Sequence, residues 1–129
     1  MKEKPIRERR KLKRRSLSYY MLVLDADKQQ TIGHLVDITA EGFMMDSQYN
    51  LPINKEYRLR FDTTSDVADK TFIEMTACAK WSAVDTIETN LYDIGFEITS
   101  ISPQDAEIIK RIIKKYGVRD SFSYNFQNL

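Results

Sequence analysis

The chain has 129 residues, of which 42% are hydrophobic and 30% charged, with a formal net charge of +1. That length suits one domain with its own core, the composition excludes a disordered chain, and no apolar run approaches the roughly 18–20 residues that span a bilayer. A single cysteine, Cys78, and a single histidine, His34, exclude an internal disulfide and the Cys/His cluster of a zinc site, so no metal is expected.

The small net charge conceals segregation. Residues 1–15 hold nine Lys or Arg against Glu3 and Glu8, whereas the remainder holds 11 basic and 17 acidic residues, so an arm of +7 precedes a body of −6. A cationic arm on an acidic body points to an anionic partner, and its field would speed that partner's capture. The arm carries only Ile6 and Leu12 among its charges and is expected to be flexible until something neutralises it. No apolar stretch behind it resembles a signal peptide, so the expected compartment is the cytoplasm.

Beyond the arm, strands are predicted in quick succession. Tyr19–Leu24 is aromatic and branched-rich and runs into the turn residues Asp25–Lys28. Thr31–Ile38 is a second strand, and Phe43–Met45 a third after an Ala40–Gly42 turn. Asn50–Asn54, with Pro52, is loop punctuation. Tyr57, Leu59 and Phe61 then alternate with Arg58 and Arg60, the period of a half-buried strand, until Thr63–Asp66 breaks the pattern. Ile73, Met75, Ala77, Ala79 and Trp81 alternate along a fifth run, in which Cys78 reads as a buried structural thiol. Tyr92, Ile94, Phe96 and Ile98 form the sixth. Six closely spaced strands predict a mainly β fold, a small antiparallel barrel closed or nearly closed on itself.

One helix follows. Ser102 suits its cap, Pro103 its first position, and Gly117 its end, while Asp105 stands three residues past the cap. Ile108, Ile109, Ile112, Ile113 and Tyr116 define one apolar face, which is expected to cover a mouth of the barrel. The chain thus divides into a basic arm over 1–15, a barrel with its helix over 16–117, and a tail over 118–129 in which Phe122, Tyr124 and Phe126 alternate.

Two short segments carry chemistry. Arg10 and Arg14, four residues apart, share a face whether the arm is helical or extended. Their planar forks can bind phosphate oxygens, or the O6 and N7 edge of guanine, in bidentate fashion. In Asp37-Ile38-Thr39-Ala40-Glu41-Gly42, Asp37 can accept from guanine N1 and N2 donors and Thr39 offers a hydroxyl. Gly42 either adopts a positive backbone angle or admits a close approach. Each half alone also reads blandly, as a solvated tail and as a locally hydrogen-bonded turn.

In this order, the two segments resemble the motifs of the PilZ domain family, small bacterial β-barrel receptors for cyclic di-GMP. Its Arg-x-x-x-Arg motif is matched by Arg10 and Arg14, and its Asp/Asn-x-Ser-x-x-Gly motif by Asp37, Thr39 and Gly42, with threonine in place of the usual serine. Ala79-Lys80-Trp81, Ile94–Ile98 and Ile101–Asp105 resemble the family's later strands and closing helix, so the resemblance spans roughly residues 7–116. It implies a split-barrel fold and a receptor that binds cyclic di-GMP through Arg10, Arg14, Asp37, Thr39 and Gly42. Arg9 and Arg15 are expected as auxiliary phosphate contacts, and Trp81 as a surface for a purine or an arginine. It also implies a downstream protein partner and no bound cofactor beyond that ligand. Two alternatives stay open: an adaptor that no longer binds the nucleotide, and a barrel for single-stranded nucleic acid. No nucleophile–base pair, metal cluster or phosphate-cradling glycine loop is visible among the four glycines, so no enzyme is expected.

Overall fold

A computed structural model describes residues 21–116. Six strands and one helix follow in order: β1 (Leu22–Asp25), β2 (Gln30–Ile38), β3 (Gly42–Ser47), β4 (Lys55–Asp62), β5 (Phe72–Val84), β6 (Tyr92–Ile101) and α1 (Pro103–Tyr116). All neighbours pair antiparallel in the circular order β1-β2-β3-β6-β5-β4, and pairing of Val23 with Phe61 and of Leu24 with Arg60 closes the barrel.

Alternation decides which residues enter the barrel. Leu59 and Phe61 of β4, Ile73, Met75, Ala77 and Ala79 of β5, and Ile94 and Phe96 of β6 are all buried in one core. Phe43 stacks on Phe96 with centroids 4.8 Å apart and meets Phe61 edge-on at 5.0 Å, so three strands share an aromatic centre. Ile108, Ile109 and Ile112 bring the apolar face of α1 into the same core.

Hydrogen bonds tie that helix to the barrel at both ends. The Ser102 hydroxyl accepts the Asp105 N–H at 3.1 Å, the expected cap. Asp105 itself turns away from the cap and toward β5, accepting from Lys70 Nζ at 3.1 Å and from the Glu74 N–H at 3.2 Å while only 5% exposed. At the far end, Arg111 donates to the Val67 carbonyl at 3.1 Å and the Tyr116 hydroxyl donates to Asp66. The loop between β4 and β5 is thereby held under the helix, with Val67 and Ala68 buried beneath it.

The expected strands and helix are all present, most of them longer than the patterns that signalled them; the arm, Gly117 and the tail lie outside the described residues. Cys78 departs from expectation. It falls between the inward Ala77 and Ala79 and so faces out, partly exposed, rather than serving as a core thiol. Arg58 and Arg60 are engaged at the surface of β4: Arg58 reaches Asp27 at 2.6 Å and Glu74 at 3.2 Å, and Arg60 lies 4.0 Å over the Phe72 ring.

Two tests follow from the helix contacts. Replacing Asp105 by alanine leaves the Glu74 N–H without its acceptor and frees Lys70, and is expected to cost about 2 kcal/mol in urea unfolding. Hydrogen bonds from Thr64 and Tyr116 hold the Asp66 carboxyl at about 2, below its ordinary 3.8. The stability from this contact is therefore complete above about pH 4 and is lost as pH falls toward 2, and Asp66→Asn should flatten that part of the stability–pH profile.

Candidate functional site

Asp37, Thr39, Gly42 and Trp81 come from three strands and one turn. A β-strand places alternate residues on opposite faces, so strict alternation from the buried Leu35 would send Asp37 into the core. It does not, because the register of β2 on β3 shifts between Leu35 and Asp37: Leu35 faces Met45, Asp37 faces Met44, and Val36 is the extra residue. Asp37 is thereby set on the outer face while Leu35 and Ile38 stay in the core.

Trp81 is moved in the same way. The sequence pattern grouped it with Ile73 and Met75, but β5 carries a second irregularity in which Ala79 faces Phe96 and Trp81 faces Gly95, with Lys80 between. Phe96 is a core residue, so its neighbour Gly95 and the tryptophan opposite it lie outside. The Trp81 indole rests over Gly95, where a Cβ would come within 2.0 Å of Nε1 and 2.3 Å of Cε2.

These two shifts align one row across four strands. Asp37 of β2 pairs with Met44 of β3, Met44 with Gly95 of β6, and Gly95 with Trp81 of β5. A carboxylate therefore stands at one end of the row and an indole at the other, separated by a thioether and a glycine. Asp37 is 4% exposed and its Oδ1 accepts the Ile38 N–H at 2.8 Å. Met44 is 2% exposed although it lies on the outer face, and Trp81 is partly exposed.

Thr39 organises the turn beside this row. Its N–H donates to the Gly42 carbonyl at 2.8 Å, and its hydroxyl accepts the Glu41 and Gly42 N–H groups, each at 3.2 Å. The hydroxyl is thus the hub of a local turn. Gly42 does not have a positive φ. Its need for glycine comes from packing, since a Cβ would stand 2.4 Å from the Phe96 carbonyl oxygen of β6. The motif glycine brings the turn close against the neighbouring strand.

The next row holds His34, Asp46, Asp93 and Ala83, paired in turn across the same four strands. His34 Nε2 lies 3.6 Å from Asp46 Oδ2. Asp85 joins Asp46 and Asp93 so that one oxygen from each lies within 4.8 Å of the others, the carboxylate grouping among the described residues that has cation-ligand spacing. Asp85 already accepts the Ile87 and Glu88 N–H groups at 2.8 and 2.9 Å and so shapes the β5–β6 turn. No motif announced this grouping, because its members come from separate strands. Gly95 was also missed as a site residue, although an isolated glycine inside a strand pattern signals close approach. Arg9, Arg10, Arg14 and Arg15 lie outside the described residues.

The fold and this arrangement define a class of small closed barrels that carry their polar motif on the outer surface of the sheet rather than within the barrel. The model for the PilZ domain matches residues 8–115, and the chain belongs to that family, whose domains are cyclic di-GMP receptors and adaptors. Among solved structures, the Bacillus subtilis inhibitor of motility (MotI/DgrA) is similar, with a TM-score of 0.61 and 15% identity, a likeness of fold. That match covers 79% of this chain and 50% of the other, so the chain spans about half of that protein's length. No curated protein matches the chain in sequence.

Thr39→Val removes the acceptor of two turn N–H groups and should cost about 1–2 kcal/mol in urea unfolding, whereas Thr39→Ser, which keeps it, should stay within about 0.5 kcal/mol of the wild type.

Proposed function

We propose that this PilZ domain is a receptor for cyclic di-GMP and acts by binding rather than by catalysis. The observation that carries this reading is the outer-face row in which two separate register shifts turn Asp37 and Trp81 toward the same side of the sheet. In this reading Asp37 accepts the N1 and N2 donors of a guanine, and the Thr39–Gly42 turn holds the backbone against which the base and phosphate approach. Trp81 supplies an aromatic face at the other end. The arm completes the site: Arg10 and Arg14 take guanine edges and phosphates in bidentate fashion, and Arg9 and Arg15 add phosphate contacts.

The charge distribution supports this division of labour. A dianionic ligand has little reason to settle on a body of −6 unless a cationic segment comes with it, and the +7 arm supplies that charge. Neutralising and ordering the arm changes which surface a protein partner meets, and this change is the output. The barrel itself gives little support to a nucleic-acid reading, since its two strand arginines, Arg58 and Arg60, are already engaged with Asp27, Glu74 and Phe72.

Calorimetric titration with cyclic di-GMP, with GTP and cyclic GMP as controls, tests the proposal. The wild type should bind with a dissociation constant of about a micromolar or tighter, while Asp37→Ala and Arg14→Ala should each weaken binding by about tenfold or more, the worth of one bidentate or charged contact. Equal heats for wild type and variants would refute the assignment of these residues. A flat wild-type titration beside capture of a protein partner would favour the adaptor reading.

A further inference from the structure

From the contact between β5 and β6 we infer that Gly95 is a positioning residue. By lacking a side chain it seats the Trp81 indole on the outer face, in line with Asp37, as the stacking surface for one purine of the ligand. The inference rests on the cyclic di-GMP reading and adds to it the residue that sets where the aromatic surface stands.

The geometry leaves little freedom. Gly95 pairs directly with Trp81, and a Cβ at this position would lie 2.0 Å from Nε1, 2.3 Å from Cε2 and 2.8 Å from Cδ1, so the five-membered half of the indole occupies the space a side chain would take. No backbone angle demands glycine here, because no described glycine has a positive φ. The requirement comes wholly from the ring above. Any larger residue pushes the indole off β6, and the row that begins at Asp37 and passes through Met44 then ends on a methyl group instead of an aromatic face. Because the shift at Lys80 alone turns Trp81 outward, the two features act in sequence: the irregularity chooses the side of the sheet, and the glycine chooses the position on it.

A double-mutant cycle reads this directly. Cyclic di-GMP affinity is measured for the wild type, Gly95→Ala, Trp81→Ala and the double variant, with Asp37→Ala alongside. Gly95→Ala should weaken binding about tenfold, and Trp81→Ala by a similar factor, the usual worth of one base on one aromatic ring. In the Trp81→Ala background the added methyl meets no ring, so the second substitution should change affinity by less than about twofold. Trp81 is the only tryptophan of the chain, so its emission should also shift in ligand-free Gly95→Ala. Equal affinity of Gly95→Ala and wild type, or the same loss from Gly95→Ala in both backgrounds, overturns the inference while leaving the nucleotide reading intact if Asp37→Ala still weakens binding. A wild type that takes no nucleotide overturns both. Should Gly95→Ala fail to fold, Trp81→Ala decides alone: affinity equal to the wild type sinks the inference.

Discussion

The strict two-residue alternation of a β-strand is the constraint on which this molecule depends. A six-stranded barrel has room inside only for apolar side chains, here centred on Phe43, Phe61 and Phe96, and every strand must keep that parity to close. Polar residues for an outer site must then fall on the opposite parity. At Asp37 and Trp81 the chain meets both demands by inserting one residue, Val36 in β2 and Lys80 in β5. Core and site are thus phased independently along the same strand.

Closure also explains the placement of the helix. Ile108, Ile109 and Ile112 extend the core beyond the strands, and the contacts of Asp105, Arg111 and Tyr116 fasten the helix to β5 and to the β4–β5 loop. This end of the barrel is built for stability. The row from Asp37 to Trp81 lies on the side wall, where β2, β3, β6 and β5 run next to one another, so the residues proposed to recognise a ligand are separate from those that secure the helix. Substitutions in the one group can be expected to act on affinity with little effect on packing at the other.

The strands and helix were legible in the sequence because periodicity is a direct consequence of burial, and the β4, β5 and β6 patterns match the inward sets residue for residue up to Ala79. The pattern failed where one residue was inserted. Ala79-Lys80-Trp81 continues the alternation without a break, so nothing in composition marks Lys80 as extra, and Trp81 was grouped with the core it does not join. Asp37, Thr39, Gly42 and Trp81 were all singled out, and for Thr39 and Gly42 the structure adds a local reason to the one the motif suggests. Thr39 shapes a turn, and Gly42 answers to the Phe96 carbonyl rather than to a backbone angle. Gly95 and Met44 acquire meaning only from partners on neighbouring strands, as do Asp46, Asp85 and Asp93. Information of that kind is long-range, and a single chain read in order does not display it.

The pairing of β1 with β4 has one more consequence. Because every described strand of the barrel has a hydrogen-bonded neighbour on each side, no described strand is left as an edge along its whole length. Strand addition, one way in which a β-domain captures an extended peptide or a second copy of itself, finds only short stretches among the described strands, such as the end of β5 beyond its pairing with β4. The described barrel therefore offers a partner chiefly the side chains on its curved wall and at its ends. Specificity for such a partner would then be spread over surface residues that can vary without disturbing the hydrogen-bonded frame beneath them.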